Sequence, residues 1–232
     1  VIERTLQAGR DHVVRVVCSE RCDGDFAIDA DPGELARARA RLVSGQWTWL
    51  EQVHGSDIVV VHGPGARRGA AADGCVTGCV DARLSVQTAD CAPLVLASEG
   101  LVGLVHAGWR GIVQRIVPAA TDLLGALGGG RTHALLGPCI AASRYGFGAA
   151  ELDLVASVAG DCVRSTTADG LPALDLAAAV RSQCEQAGVA SFSVVGPPHS
   201  DVPFDTSEDR WYSHRCRGER QRQATVAWLE RR

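Results

Sequence analysis

An α/β (α+β) fold of layered mixed β-sheets flanked by helices is what this sequence predicts, on three observations. β-branched apolar runs of strand length recur from one end of the chain to the other. Helix-length segments with start and stop signals are interleaved with them. Three of the strand candidates follow one another through turns too short to hold a crossover helix, which favours antiparallel or mixed pairing over repeated βαβ units. No internal repeat or low-complexity linker interrupts the 232 residues, so a single domain over 1–232 is expected.

His12–Cys18 is β-branched and apolar and reads as a buried strand. Asp31-Pro32-Gly33-Glu34 opens a helix that runs to about Val43. Asp31 suits the N-cap, and Pro32 suits the first helical position, where a missing N–H costs nothing. Arg37, Arg39 and Arg41 leave this helix a narrow apolar stripe. Strands are expected at Trp47–Val53 and Ile58–His62, before an exposed Gly/Pro/Arg loop from Gly63 to Gly69. The three closely spaced strands are Arg83–Thr88, Pro93–Ala97 and Leu101–His106. Gly108 to about Leu127 reads as one helix, kinked at Pro118 and ended by Gly128-Gly129-Gly130. Ala134–Leu136 is a short strand, and Ala149–Val158 and Leu174–Ala187 are helices. Phe192–Val195 and Ala224–Leu229 close the chain as strands.

Hydrophobic residues make up 46% and charged residues 22%, enough for a sizeable core. The formal net charge is −4 with no polybasic block, which argues against nucleic acid as a partner. Arg215, Arg217, Arg220 and Arg222 form the one basic cluster and read as a solvated face. No stretch approaches the ~20 apolar residues of a membrane helix, so no membrane partner is expected. Val1 to Arg15 alternates polar and apolar residues and lacks a signal-peptide core, which makes the cytoplasm the expected location. The nine cysteines then read as thiols, ligands or nucleophiles rather than a disulfide framework. The Cys18/Cys22 and Cys75/Cys79 spacings join no further metal motif and read as incidental. Lys and Asn are absent, which excludes a Schiff-base enzyme, a P-loop lysine and a Cys-His-Asn triad.

The chemistry concentrates at strand ends. His54 lies in Glu51-Gln52-Val53-His54-Gly55, Cys91 in Thr88-Ala89-Asp90-Cys91-Ala92-Pro93, and His106 in His106-Ala107-Gly108-Trp109-Arg110-Gly111. Two imidazoles and a thiolate supply three ligands suited to Zn²⁺, with a fourth position left open. Each residue also has a plainer reading: Cys91 as a small core side chain, either histidine as a hydrogen-bonded strand-end residue. Arg110, at a helix start where free N–H groups favour anions, suits phosphate; a surface salt bridge is its other reading. Asp90 either fixes the tautomer of a ligand histidine or serves a turn. Gln52 and Cys139 are candidate pocket residues; Cys139 follows Gly137-Pro138 after a strand, which exposes it, though a lone cysteine is more often structural. Trp109 reads as packing the helix entry.

Four segments stand here in the order seen in one family. They are Gln52-Val53-His54-Gly55, Thr88-Ala89-Asp90-Cys91-Ala92-Pro93, His106-Ala107-Gly108-Trp109-Arg110-Gly111 and Leu136-Gly137-Pro138-Cys139-Ile140. With Trp211-Tyr212-Ser213-His214-Arg215 and Ala224-Thr225-Val226-Ala227-Trp228-Leu229, they make the chain resemble the YfiH-like or laccase-domain proteins, once called multicopper polyphenol oxidases. The resemblance runs from about Asp31 to Leu229. It implies a layered fold likened to that of cysteine hydrolases, and a metal, usually zinc, held by His54, Cys91 and His106. It also implies phosphorolysis of purine nucleosides (adenosine, inosine, guanosine, methylthioadenosine) and deamination of adenosine, with Cys91, His106 and Asp90 as catalytic residues. The expected partners are a purine nucleoside and phosphate, in a monomer or homodimer.

The chain departs from the family at Val17–Gly24, which is shorter than the segment that usually carries a phosphate-contacting arginine; Arg21 is the stand-in. Pro203-Phe204 and Arg220-Gln221-Arg222 replace the usual Cys-Thr and Thr-Gly-Arg. Three rival functions remain: a Cu²⁺-dependent polyphenol oxidase; a metal-free hydrolase acting on peptidoglycan precursors, with Cys91 as nucleophile and His106 as base; and a non-catalytic binding module.

Overall fold

Apolar side chains that alternate along some strands and run unbroken along others decide how the layers stack. The computed structural model describes residues 1–232. In chain order the first elements are β1 (Ile2–Gln7), β2 (His12–Cys18), α1 (Pro32–Leu42), β3 (Trp47–Thr48) and β4 (Leu50–Glu51). Then come β5 (Ile58–Val60), β6 (Ala70–Ala71), β7 (Gly74–Thr77), β8 (Arg83–Thr88), β9 (Ala92–Ser98) and β10 (Leu101–Ala107). The helical half follows with α2 (Trp109–Val113), α3 (Ile116–Ala126), β11 (His133–Leu136), α4 (Ala149–Ala159), β12 (Arg164–Thr166) and β13 (Pro172–Leu174). The chain ends with α5 (Leu176–Gln186), β14 (Ser191–Val194), α6 (His214–Arg217) and β15 (Gln223–Arg231).

Two sheets carry the fold, in the strand orders β1-β2-β15-β8-β3 and β14-β11-β9-β10-β7-β5. Both are mixed: β3 runs parallel to β8, β5 to β7 and β14 to β11, and the other neighbours are antiparallel. Their inner faces pack on each other, with Val14, Val16, Leu84 and Val86 from one sheet meeting Val95, Val102 and Leu104 from the other. The outer face of the six-stranded sheet is covered by α2, α3, α4 and α5 through Ile112, Ile116, Leu124, Leu152 and Val180. α1 covers part of the five-stranded sheet through Leu35 and Ala38 against Phe26, Trp47 and Val226. Because β9 has apolar neighbours on both faces, all of Ala92–Ser98 is buried, and it reads as a continuous apolar run.

The start of α1 follows its sequence signals: Asp31 is the N-cap, accepts from Glu34 N–H, and precedes Pro32. Several expectations are corrected. β9 and β10 form the expected antiparallel hairpin, but β8 pairs with β15 and β3 in the other sheet, so the turn at Ala89–Cys91 carries the chain between layers. The helix expected from Gly108 to Leu127 is two helices, broken at Gln114–Arg115, where Arg115 has φ +61°. Pro118 is not the kink. It sits in the first turn of α3, where no N–H is needed and where the helix could not have continued backwards past it. The expected strand over Trp47–Val53 is two short pieces, β3 and β4, whose partners lie in different sheets. β1 joins the five-stranded sheet as an edge strand, although its alternating residues were not expected to form one.

Candidate metal centre and substrate cavity

The passage from one sheet to the other sets Cys91 at the seam between them. Asp90 before it takes φ +93°, a backbone region that residues with a Cβ rarely adopt. His54 follows β4 and also has a positive φ, +59°. His106, near the end of β10, is paired across the ladder with Pro93. One ligand atom from each of His54, Cys91 and His106 falls within 4.8 Å of the others. His54 Nε2 is 3.9 Å from Cys91 Sγ, and the two imidazoles meet edge to face with centroids 4.9 Å apart. Gly108 leaves room for this approach: a Cβ there would stand 3.0 Å from His54 Cδ2 and 3.2 Å from Cys91 Sγ.

The carboxylate that orients the cluster is Asp73, a residue no local sequence pattern marks. It is fully buried between β6 and β7. Its Oδ1 lies 2.8 Å from His106 Nδ1. Its two oxygens also accept from the backbone N–H groups of Val53 (3.1 Å), His54 (3.0 Å) and Gly55 (2.7 Å). One side chain thus holds both histidines, His106 by its ring and His54 by its backbone. With Nδ1 engaged, His106 presents Nε2 to the cluster.

Asp90 was expected either to hold a histidine or to serve a turn, and it touches no imidazole. Its Oδ1 accepts from the hydroxyls of Thr206 (2.9 Å) and Ser213 (2.7 Å), and its Oδ2 from Arg215 N–H (2.6 Å). Asp90 therefore ties the Cys91 turn to two C-terminal segments distant in sequence.

Burial disfavours a thiolate at Cys91, but the charge and hydrogen bonding of His106 and His54 outweigh it and bring the thiol down to about 6. Burial also disfavours a charged His106; Cys91 and Asp73 reverse that and raise it to about 9. Asp73 is held below the usual carboxylate range despite its burial, chiefly by the bond to His106. The two shifts oppose each other and both favour a thiolate at Cys91 beside an imidazolium at His106.

The residues fit a metal ion. Ordinary zinc bond lengths in a tetrahedron put nitrogen and sulfur ligands ~3.6 Å apart, close to the 3.9 Å between His54 and Cys91. The same donors suit Cu²⁺.

A cavity of about 660 Å³ opens above the cluster. Gln52 lines it, and its amide clamps the Gln87 backbone, accepting from the N–H (2.8 Å) and donating one hydrogen to the carbonyl (2.8 Å). Arg110 lines it too; its guanidinium lies 4.5 Å from the Trp109 ring centroid and pairs with no carboxylate. Cys139 does not face this cavity. It is buried, burial pushes its thiol up, and it borders a separate cavity of about 420 Å³ beside α5.

The stand-in role for Arg21 also gives way. Its guanidinium pairs with Glu219 (2.7 Å), donates to the carbonyls of Asp209 and Trp211, and lies over Tyr212, outside the cavity. The cavity's further cations come instead from the cluster expected to be a solvated face: Arg215, Arg220 and Arg222 line it together with Arg110. The clustering of arginines was visible in the sequence, but its placement on the cavity follows from the Asp90 ties to Ser213 and Arg215. Tyr145 completes the wall, buried beneath Arg215, whose guanidinium is 5.0 Å from its ring centroid.

A layered α/β protein with a His₂Cys metal-type cluster at the seam of two sheets is the class that this fold and site define. The family model described as multi-copper polyphenol oxidoreductase laccase matches residues 21–230. A protein of Mycobacterium bovis named purine nucleoside phosphorylase is 34% identical over 218 residues, covering 89% of this chain and 84% of that one. A protein of the same name from Deinococcus radiodurans is 35% identical over 185 residues, 75% of this chain and 71% of the relative. Among solved structures, Neisseria meningitidis protein NMB0706 superposes with TM-score 0.80 at 20% identity, over 98% of this chain and 99% of that one. YlmD from Geobacillus stearothermophilus superposes with TM-score 0.77 at 24% identity over the full length of both. The chain belongs to the laccase-domain, or YfiH-like, family.

Proposed function

We propose that this protein is a zinc-dependent purine nucleoside enzyme that cleaves adenosine, inosine, guanosine or methylthioadenosine with phosphate, and deaminates adenosine at the same site. The observation that carries this reading is the convergence of His54, Cys91 and His106 within 4.8 Å, on the floor of a cavity whose rim holds Arg110, Arg215, Arg220 and Arg222. Relatives named purine nucleoside phosphorylase support it. A zinc ion bound to the three ligands would act as a Lewis acid. The rim arginines would gather the phosphate anion, since they outnumber the nearby carboxylates Asp29 and Asp90, and Asp90 is already occupied. Asp73 would keep His106 in the one tautomer that leaves Nε2 free.

The test is metal content by elemental analysis of wild type, His54→Ala and Cys91→Ala, with nucleoside turnover followed with and without phosphate. About one zinc per chain, lost in both variants together with phosphate-dependent turnover, is the expected result. Turnover that ignores phosphate would reassign the site to hydrolysis, and a protein free of zinc would sink the zinc reading.

A second reading has its own observation. Asp73, His106 and Cys91 stand in the order of a carboxylate–imidazole–thiol relay, with 2.8 Å between Asp73 Oδ1 and His106 Nδ1. Such a hydrolase would be insensitive to chelators and sensitive to alkylation. A multicopper oxidase is disfavoured because one cluster of three metal-type ligands serves the whole chain.

A further inference from the structure

Cleaving a nucleoside requires, besides an anion site, something to meet the electrons that collect on the departing base. Most groups facing the cavity are committed elsewhere. His54, Cys91 and His106 form the metal-type cluster, the Gln52 amide is held by the Gln87 backbone through both its oxygen and its nitrogen, and Asp90 accepts from three donors. Two hydroxyls that line the cavity are not: that of Thr88, buried without a partner, and that of Tyr145, the one of the two carried on an aromatic ring. Tyr145 lines the cavity and is only 6% exposed, yet no acceptor in the protein receives its hydroxyl hydrogen. Its neighbour Arg215 has only donors to offer, so a contact between them uses the phenol's lone pair and leaves its hydrogen free. The Tyr145 oxygen is not sealed among the buried side-chain atoms that lack a partner, so the hydroxyl opens to the cavity.

The ring is also fixed. Tyr145 meets Phe147 at 5.2 Å, and Phe147 meets Trp109 at 5.5 Å, both edge to face. Tyr145 and Trp109 thus form a braced aromatic wall against which a planar base can lie.

Resting on the purine nucleoside reading above, we propose that the Tyr145 hydroxyl is the catalytic hydrogen-bond donor to N7 of the departing purine. An oxygen of hydrogen phosphate bonds to C1′ of the sugar as the C1′–N9 bond breaks, and that bond's electron pair leaves with the base. The proton given up by the hydrogen phosphate ends on the base. Tyr145 keeps its own proton and lends only its hydrogen bond, which strengthens as N7 gains charge.

7-Methylguanosine separates this role from a structural one. Its N7 carries a methyl group and a positive charge, so its base leaves without a donor and cannot accept a hydrogen bond there. Phosphorolysis of guanosine and of 7-methylguanosine is measured for wild type, Tyr145→Phe and His214→Ala; His214 is the exposed donor at the rim. Tyr145→Phe is expected to lower kcat on guanosine about tenfold or more. The ratio of 7-methylguanosine to guanosine rates should rise by a similar factor, with zinc content and Tm as in wild type. An equal loss on both substrates, no loss on either, or a ratio change in His214→Ala instead would overturn the assignment. A wild type that cleaves neither nucleoside defeats the purine nucleoside reading itself, and this inference with it.

Discussion

Asp73 and Asp90 are both buried, both belong to turns beside strands, and both collect backbone N–H groups, yet they do different work. Asp73 receives three consecutive N–H groups from Val53–Gly55 and the imidazole of His106. Asp90, which adjoins Cys91 in sequence, receives two hydroxyls and one N–H from the C-terminal segments. The residue beside the thiol builds the rim, and the residue remote from it builds the floor. Adjacency along a chain that crosses between sheets says little about which carboxylate meets which ligand.

Removing each carboxylate should expose that division. Asp73→Ala strands the His106 ring N–H and three backbone donors around a fully buried position, so a loss of about 3–5 kcal/mol is expected in denaturant unfolding of the metal-free protein. Zinc affinity should fall by about 10- to 100-fold, read by competition with a chromogenic chelator. A variant that binds zinc as wild type does would remove Asp73 from the floor.

Asp90→Ala should cost less, about 1–3 kcal/mol, since the two hydroxyls it leaves can turn to other acceptors. It should keep its zinc. The loss should fall on KM for phosphate, because Arg215 loses the carboxylate that fixes its backbone. Equal losses of zinc in the two variants would erase the distinction between floor and rim.

What could be read in the sequence and what could not divides along the same line. Local rules reach what local contacts decide. The cap at Asp31, the buried run of β9 and the hairpin to β10 were all legible, while His54, Cys91 and His106 were singled out as a set by the family resemblance of their motifs. Contacts that need the second sheet were not. β8 was expected beside β9 because the turn between them is short; nothing in Ala89–Cys91 says that a positive φ at Asp90 sends the chain to another layer. Asp73 sits 33 positions from His106 in an unremarkable turn. Cys139, exposed by its Gly-Pro neighbours on a local view, is covered once its backbone bonds Phe204 and Thr206. The rim arginines looked like a solvated face because Arg110, which lines the same cavity, lies more than a hundred residues away.

The smallest effect, and the finest division between the two carboxylates, is electrostatic. A thiol whose folded-state pKa lies below its unfolded value adds stability that is full above the unfolded value and is lost as pH falls through the folded one. For Cys91 that window runs from the ordinary thiol value of 9.0 down to about 6. His106 has the opposite sign: its contribution is full below 6.5 and is lost as pH rises through about 9. Because the two oppose, unfolding curves would blur them, and the reactivity of the thiolate is the cleaner readout. In metal-stripped protein, iodoacetamide should label Cys91 at a rate that halves near pH 6 rather than near the ordinary thiol value. Asp73→Asn removes the negative charge that helps keep His106 protonated, so the midpoint should move upward. Asp90→Asn leaves the bond between Asp73 and His106 in place, so the midpoint should stay near that of wild type. Peptide-resolved labelling measures both, and a midpoint that moves equally in the two variants would mean that Asp73 has no special hold on the His106 charge.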